Sequence, residues 1–289
     1  MSAEPAARQM NLFGDAAKEK PVINRNGSVK GATVIYVPKT EAFEYAGLAT
    51  NPYRGCGHAC PYCSVPFTTH QDRAEFNAGA ILRTDYLPRL RKDAALYQAA
   101  GITEQILIAF ITDPYHPGDT RPTREALEIL TEHGLGKCVL TKGGRRPLRD
   151  LDLFRPDRDA FAVTLISVDD TFCRKWEPNA PLPASRIAAL KAFHEKGIFT
   201  WPSIEPVIDP EMALAVVAET HSYVDHYKIG PLHYLNLTQA VDWRAFTLRM
   251  VELLTRYNKT AYFKKDLQPF LPAGYPNLMR VPQHHGSAK

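Results

Sequence analysis

The run Asn51-Pro52-Tyr53-Arg54-Gly55-Cys56-Gly57-His58-Ala59-Cys60-Pro61-Tyr62-Cys63-Ser64-Val65 carries three cysteines at spacing C-x3-C-x2-C. It follows an apolar stretch, Phe43 to Thr50, that reads as a β-strand. Thiolates are soft ligands suited to iron–sulfur clusters or zinc. Three of them hold three irons of a [4Fe–4S] cubane and leave the fourth iron open to a cofactor or substrate. Adding His58 to Cys56, Cys60 and Cys63 makes the four ligands of a tetrahedral zinc site. Structural zinc loops usually come as two separated ligand pairs, so the cluster is the favoured reading.

The chain has 289 residues, enough for one α/β barrel-type domain or two small ones. Its 45% apolar and 23% charged residues are ordinary for a soluble globular protein. No 18-residue apolar run and no N-terminal signal pattern occur, which predicts a cytoplasmic protein with no membrane partner. Five cysteines with three crowded together indicate metal use, not a disulfide framework; Cys138 reads as a buried strand cysteine and Cys173 as a helix-start cysteine. A net charge of +4 permits a nucleic-acid substrate without requiring one.

Residues 1 to 30 are polar and aperiodic, which predicts a flexible arm. Within it, Gln9-Met10-Asn11-Leu12-Phe13 resembles the short peptide by which bacterial replication and repair proteins dock on the sliding clamp. Thr33 to Val37 reads as a short strand, 65–81 as a polar loop, and 84–100 as a helix ended by Gly101. Strand patterns then fall at 105–112, 137–141, 160–168, 199–207, 223–229 and 260–264. Helical patterns between them fall at 123–133, 148–154, 183–196, 210–218 and 242–257. This alternation predicts a parallel α/β sheet. Six units counted from the cysteine loop fit a partial (β/α)6 TIM-type barrel over residues 31–265, with a C-terminal extension over 266–289. A doubly wound open sheet is the alternative.

Barrel sites gather at the C-terminal ends of the strands. Those ends offer Thr112 and Asp113, a hydroxyl and a carboxylate fit for an ammonium, or an Asx turn. They also offer Lys142 before Gly143-Gly144, suited to a carboxylate, and Ser167, suited to a ribose or carboxylate. Glu205 lies between apolar residues, where a carboxylate needs an arginine partner or a function. His70, Tyr115, His116, His233 and Tyr234 are candidates for the substrate side.

The cysteine spacing, with Tyr62 just before the last cysteine, resembles the signature of the radical S-adenosylmethionine (SAM) enzymes. Asn51-Pro-Tyr-Arg-Gly-Cys56, Thr112-Asp113-Pro-Tyr115, Leu140-Thr-Lys142, Arg149-Asp-Leu-Asp-Leu153, Ser167-Val168 and Glu177-Pro178 are similar to the spore photoproduct lyase-like, or DNA repair photolyase-like, branch and its phage or mobile-element relatives. The resemblance spans roughly residues 49–235. It implies Cys56, Cys60 and Cys63 as cluster ligands and Thr112, Lys142 and Ser167 as SAM contacts, with Tyr62 near the adenine. Asp113 and Glu205 complete the candidate cofactor residues. It further implies reductive cleavage of SAM to a 5′-deoxyadenosyl radical, hydrogen abstraction from a nucleic-acid base or nucleotide, and an external flavodoxin- or ferredoxin-type electron donor. The lyases carry a hydrogen-donating cysteine near the second strand's tip, where this chain has Phe110 and Ile111. The competing function is a zinc-binding, clamp-associated nucleic-acid accessory protein without radical chemistry. Its phosphate-facing surface would draw on Arg83, Arg89, Arg91, Lys92, Arg145, Arg146 and Arg149.

Overall fold

A computed structural model describes residues 21–232 and 241–279. The clamp-like peptide Gln9 to Phe13, and His233 and Tyr234, lie outside the described residues. The strands are β1 (Leu48–Thr50), β2 (Tyr53–Arg54), β3 (Ile81–Leu82), β4 (Gln105–Ile108), β5 (Gly136–Thr141), β6 (Ala160–Thr164), β7 (Phe199–Val207), β8 (His226–Pro231) and β9 (Thr260–Phe263). The helices are α1 (Val65–Thr68), α2 (Arg73–Asn77), α3 (Tyr86–Ala99), α4 (Arg121–Glu132), α5 (Asp170–Trp176), α6 (Pro183–Glu195), α7 (Pro210–Thr220) and α8 (Trp243–Arg256).

Seven strands form one parallel sheet in the order β1-β4-β5-β6-β7-β8-β9, while β2 and β3 make a separate antiparallel ribbon. Sheet order follows chain order without a reversal. A doubly wound sheet reverses at a switch point, so the alternative architecture is excluded and the barrel-type arrangement stands. Side chains alternate between two faces, as the period of a strand demands. Ala49, Leu107, Cys138, Ala160, Ala162 and Trp201 pack together on the inner face. Ile106, Ile108, Val139, Phe161, Val163 and Ile204 pack in the layer under the helices. Three alanines on the inner face suit a concave surface, where side chains converge and large ones would collide.

Several boundaries differ from the sequence expectations. The stretch 43–50 is a strand only from Leu48; Thr40–Glu44 is a 3-10 turn. Thr33 to Val37 contributes a single bridge, Tyr36 to Ala49. Its backbone is instead gathered by Asp93 on α3, whose Oδ2 accepts the N–H groups of Thr33, Val34 and Ile35 at 2.6–2.9 Å. Strand β4 stops at Ile108 because Ala109 turns to φ +63°. The polar loop 65–81 holds two short helices, and the helix start at Cys173 falls within α5, which begins three residues earlier at Asp170. Residues 146–153 are 3-10 helix. Among the described residues no helix is long and apolar enough to cross a membrane.

Candidate active site

At the C-terminal ends of β1, β4, β5 and β6 lies an open cleft. Cys56, His58, Cys60, Tyr62 and Cys63 form one wall, with Phe76 and Asn77 of α2 beside them. The stretch Ala109 to Asp113 and the stretch Leu140 to Lys142 supply the others, together with Thr164.

The cysteine loop is fastened to neighbouring segments by hydrogen bonds. Thr112 Oγ1 donates to the Gly55 carbonyl at 2.5 Å, and Cys56 N to the Phe76 carbonyl at 2.8 Å. Asn179 donates from Nδ2 to Gly57 O at 3.0 Å, and Arg73 donates to Cys63 O at 2.9 Å. Gly55 has φ +76°, and a Cβ there would lie 2.2 Å from the Gly79 carbonyl, so only glycine fits. On the facing wall, Asn51 Oδ1 accepts from Phe110 N at 2.9 Å and Ile111 N at 3.1 Å. That clamp bends the chain out of β4 and presents Phe110 and Ile111 to the cleft.

Asp113 joins three of these segments. Its Oδ1 accepts from Thr141 Oγ1 at 2.5 Å and Tyr115 N at 2.8 Å, and its Oδ2 from Lys142 N at 2.6 Å. His58 Nδ1 stands 3.5 Å from the same Oδ2. Burial would raise this carboxyl, but His58 and the hydrogen bonds from Lys142 and Thr141 outweigh it and hold Asp113 below the usual carboxylate range. Burial also lowers His58 to about 4, against the pull of Asp113.

Behind Cys60 stands a second charged group. Glu177 and Arg186 form a fully buried pair at 2.5 Å, and Tyr62 OH donates to Glu177 Oε1. Arg186 also donates to the carbonyls of Thr164 and Pro181. Burial would lower the Lys142 ammonium, but Cys60, Glu177 and Asp113 hold it above its ordinary range. It lies 5.7 Å from the centroid of the Tyr62 ring. Gly143 follows it because a Cβ there would meet Tyr115 Cβ at 2.3 Å.

Of the residues expected from sequence, Cys56, Cys60, Cys63, Tyr62, Thr112, Asp113 and Lys142 line one cleft. Ser167 does not line it. Strand β6 ends at Thr164, and the Ser167 hydroxyl accepts from Asp169 N at 2.9 Å and contacts Met212 Sδ at 3.3 Å. Glu205 lies across the barrel, where Tyr45 OH donates to it and Lys264 Nζ stands 3.1 Å away. Its partner is therefore a lysine and a tyrosine, not an arginine. The roles of Asn51, Thr164, Asn179 and the Glu177–Arg186 pair lay beyond sequence reasoning, because each acts through a partner remote in the chain.

The donor set suits a cluster. Burial pushes the Cys56 thiol up to about 11 and Cys60 to about 12, so a neighbouring cation is needed to hold them as thiolates. Among the described residues no three His, Cys, Asp or Glu side chains converge as one metal ion requires. Tetrahedral zinc on this loop is therefore not favoured. A cubane takes one thiolate on each of three irons and needs no such convergence.

The sequence profile of the Radical SAM superfamily matches residues 50–212. The chain belongs to the radical SAM superfamily. It is accordingly an enzyme of the general radical SAM reaction, with a [4Fe–4S] cluster and S-adenosylmethionine as cofactors and a need for a reductant. An uncharacterized protein of Mycobacterium tuberculosis (strain ATCC 25618 / H37Rv) is 27% identical over 263 residues, covering 84% of this chain and 74% of its own. An uncharacterized protein of Acidianus two-tailed virus is 25% identical over 182 residues, 60% of each chain. Among solved structures, spore photoproduct lyase with bound AdoMet and dinucleoside spore photoproduct superposes with a TM-score of 0.61 at 13% identity, covering 81% of this chain and 80% of that one. SuiB of Streptococcus suis bound to S-adenosylmethionine gives 0.56 at 14% identity; this radical SAM chain, with 81% of its length aligned, spans about half of SuiB (53%).

Proposed function

We propose that Cys56, Cys60 and Cys63 hold the cluster, that Lys142 takes the SAM carboxylate, and that the substrate is a nucleic-acid base or nucleotide. One observation carries this reading: three thiols on one loop share a single cleft with the Lys142 ammonium and an apolar wall of Phe76, Phe110, Ile111 and Leu140. When bound and reduced, the cofactors supply a 5′-deoxyadenosyl radical, and the protein's part is to position and shield it.

The Lys142 ammonium makes no hydrogen bond or salt bridge among the described residues, so its charge is available to a ligand carboxylate. The Glu177–Arg186 pair fixes Tyr62 beside it. Phe110 and Ile111 offer a flat apolar surface to a base, and supporting this substrate class is the likeness to a lyase solved with a dinucleoside lesion. The wall holds no thiol other than the three cluster cysteines. Cys138 lies 1% exposed on the inner sheet face, beneath Leu140, and burial lifts it to about 12. This chain therefore quenches no substrate radical with a wall cysteine, which separates its reaction from that of a cysteine-dependent dimer-reversing lyase. The reductant we assign is a flavodoxin- or ferredoxin-type protein, and the compartment is the cytoplasm.

Anaerobic reconstitution tests the reading. Wild-type protein is expected to bind about four irons with matching sulfide and to release 5′-deoxyadenosine from SAM on reduction. Cys60→Ala is expected to lose both. Unchanged iron content and SAM cleavage in that variant would overturn the assignment. Deuterated oligonucleotides then test the substrate class, through deuterium appearing in 5′-deoxyadenosine.

A further inference from the structure

His58 sits midway between Cys56 and Cys60 and is 2% exposed in the cleft wall. Its two ring nitrogens have different surroundings. Nδ1 stands 3.5 Å from the Asp113 carboxylate, where a ring proton on Nδ1 faces negative charge and leaves the lone pair on Nε2. Nε2 is buried and has no hydrogen-bond partner. A buried acceptor left open costs stability unless something fills it.

The groups this site gathers narrow what that partner is. Cysteine sulfurs and cluster sulfides are acceptors and cannot satisfy a lone pair. The Lys142 N–H, the Thr141 hydroxyl and the Tyr115 N–H already go to Asp113. The same three bonds occupy the carboxylate that sequence alone assigned to the SAM ammonium. Two buried acceptors of the cleft wall have no partner, His58 Nε2 and Asn77 Oδ1; of the two, only His58 lies within the cysteine loop, and the amino group of SAM is a donor that the cofactor brings to the cluster. We propose that His58 Nε2 accepts a hydrogen bond from the SAM amino group, with Asp113 as the positioning residue that fixes its tautomer. This rests on the three cysteines holding the cluster.

The test compares SAM with its desamino analogue, by equilibrium binding to the cluster-loaded protein. Iron and sulfide analysis of wild-type protein comes first; failure to load a cluster there would sink the cysteine assignment, not this one. Loaded wild-type protein is expected to prefer SAM. In His58→Leu that preference should shrink by roughly 10-fold, the worth of one hydrogen bond to a charged or polarised donor. His58→Gln, with an amide oxygen near the place of Nε2, should retain most of it. Equal discrimination by wild type and His58→Leu would overturn the proposal. Loss of the cluster from both variants would also overturn it, by making His58 a support of the cluster itself.

Discussion

Lys142 and Lys264 stand at the C-terminal ends of strands in the same sheet, and both keep their charge against burial, yet they are surrounded differently. Lys264 is held between two carboxylates, Glu44 at 2.5 Å and Glu205 at 3.1 Å. Tyr45 OH donates to Glu205, Tyr262 OH donates to Glu44 at 2.9 Å, and Lys228 donates to the carbonyls of Glu44 and Met279. That side of the barrel is closed on itself. Lys142 has acidic neighbours and an aromatic face but no salt bridge, and the acceptor across from it, His58 Nε2, is open. Paired charges in a barrel mouth hold strands together; unpaired polar groups there await a ligand.

Removing each lysine separates these roles. Lys264→Met strands two partly buried carboxylates, and we expect a loss of about 3 kcal/mol in denaturant unfolding. A loss below about 0.5 kcal/mol would show that the late-strand cluster is no stabilising device. Lys142→Met should do the reverse. Unfolding stability should stay within about 1 kcal/mol of wild type, while SAM affinity of the loaded enzyme drops at least ~10-fold. Unchanged SAM affinity would erase the contrast between the two lysines.

A smaller effect sharpens the comparison on the late-strand side. Burial, then the Lys228 charge, lowers His226 to about 3. The folded state thus binds fewer protons than the unfolded chain between pH 3 and about 6.5. Stability from this group is complete above about pH 6.5 and falls as the solution is acidified, by at most ~1.4 kcal/mol per pH unit. His226→Asn, which keeps a polar atom near Thr260 Oγ1, should flatten that slope. An identical acid profile in the variant would assign the loss to other groups.

The early strands show where sequence stops being legible. The apolar run from Gln105 announces β4, but its end is set by Asn51, which captures the Phe110 and Ile111 amides from about 60 residues away. Phe43 to Glu44 looks like strand, yet Glu44 is drawn to Lys264 and Tyr262 on the far edge of the sheet. A strand running on to Val168 would put Ser167 at the mouth, but β6 ends at Thr164 and Ser167 lies outside the cleft. By contrast, α2 and α5 did leave local marks. Asp72 caps Glu75 N at 2.9 Å and Asp169 caps Phe172 N at 2.6 Å, both N-cap signals open to a reader of sequence. The cysteine motif is legible because its three thiols are neighbours in the chain; Glu177, Arg186 and Asn179, which brace it, are more than 110 residues further on.

The bracing of the cysteine loop by Thr112, Arg73, Asn179 and the Phe76 carbonyl bears on how the enzyme matures. A zinc finger owes its fold to its metal, whereas this loop is shaped by the polypeptide. If the three cysteines hold the cluster, we expect assembly machinery to meet a finished receptacle and a protein that has lost its cluster to be ready for recharging. Far-ultraviolet circular dichroism and thermal midpoints of protein stripped of iron should lie close to those of the loaded form.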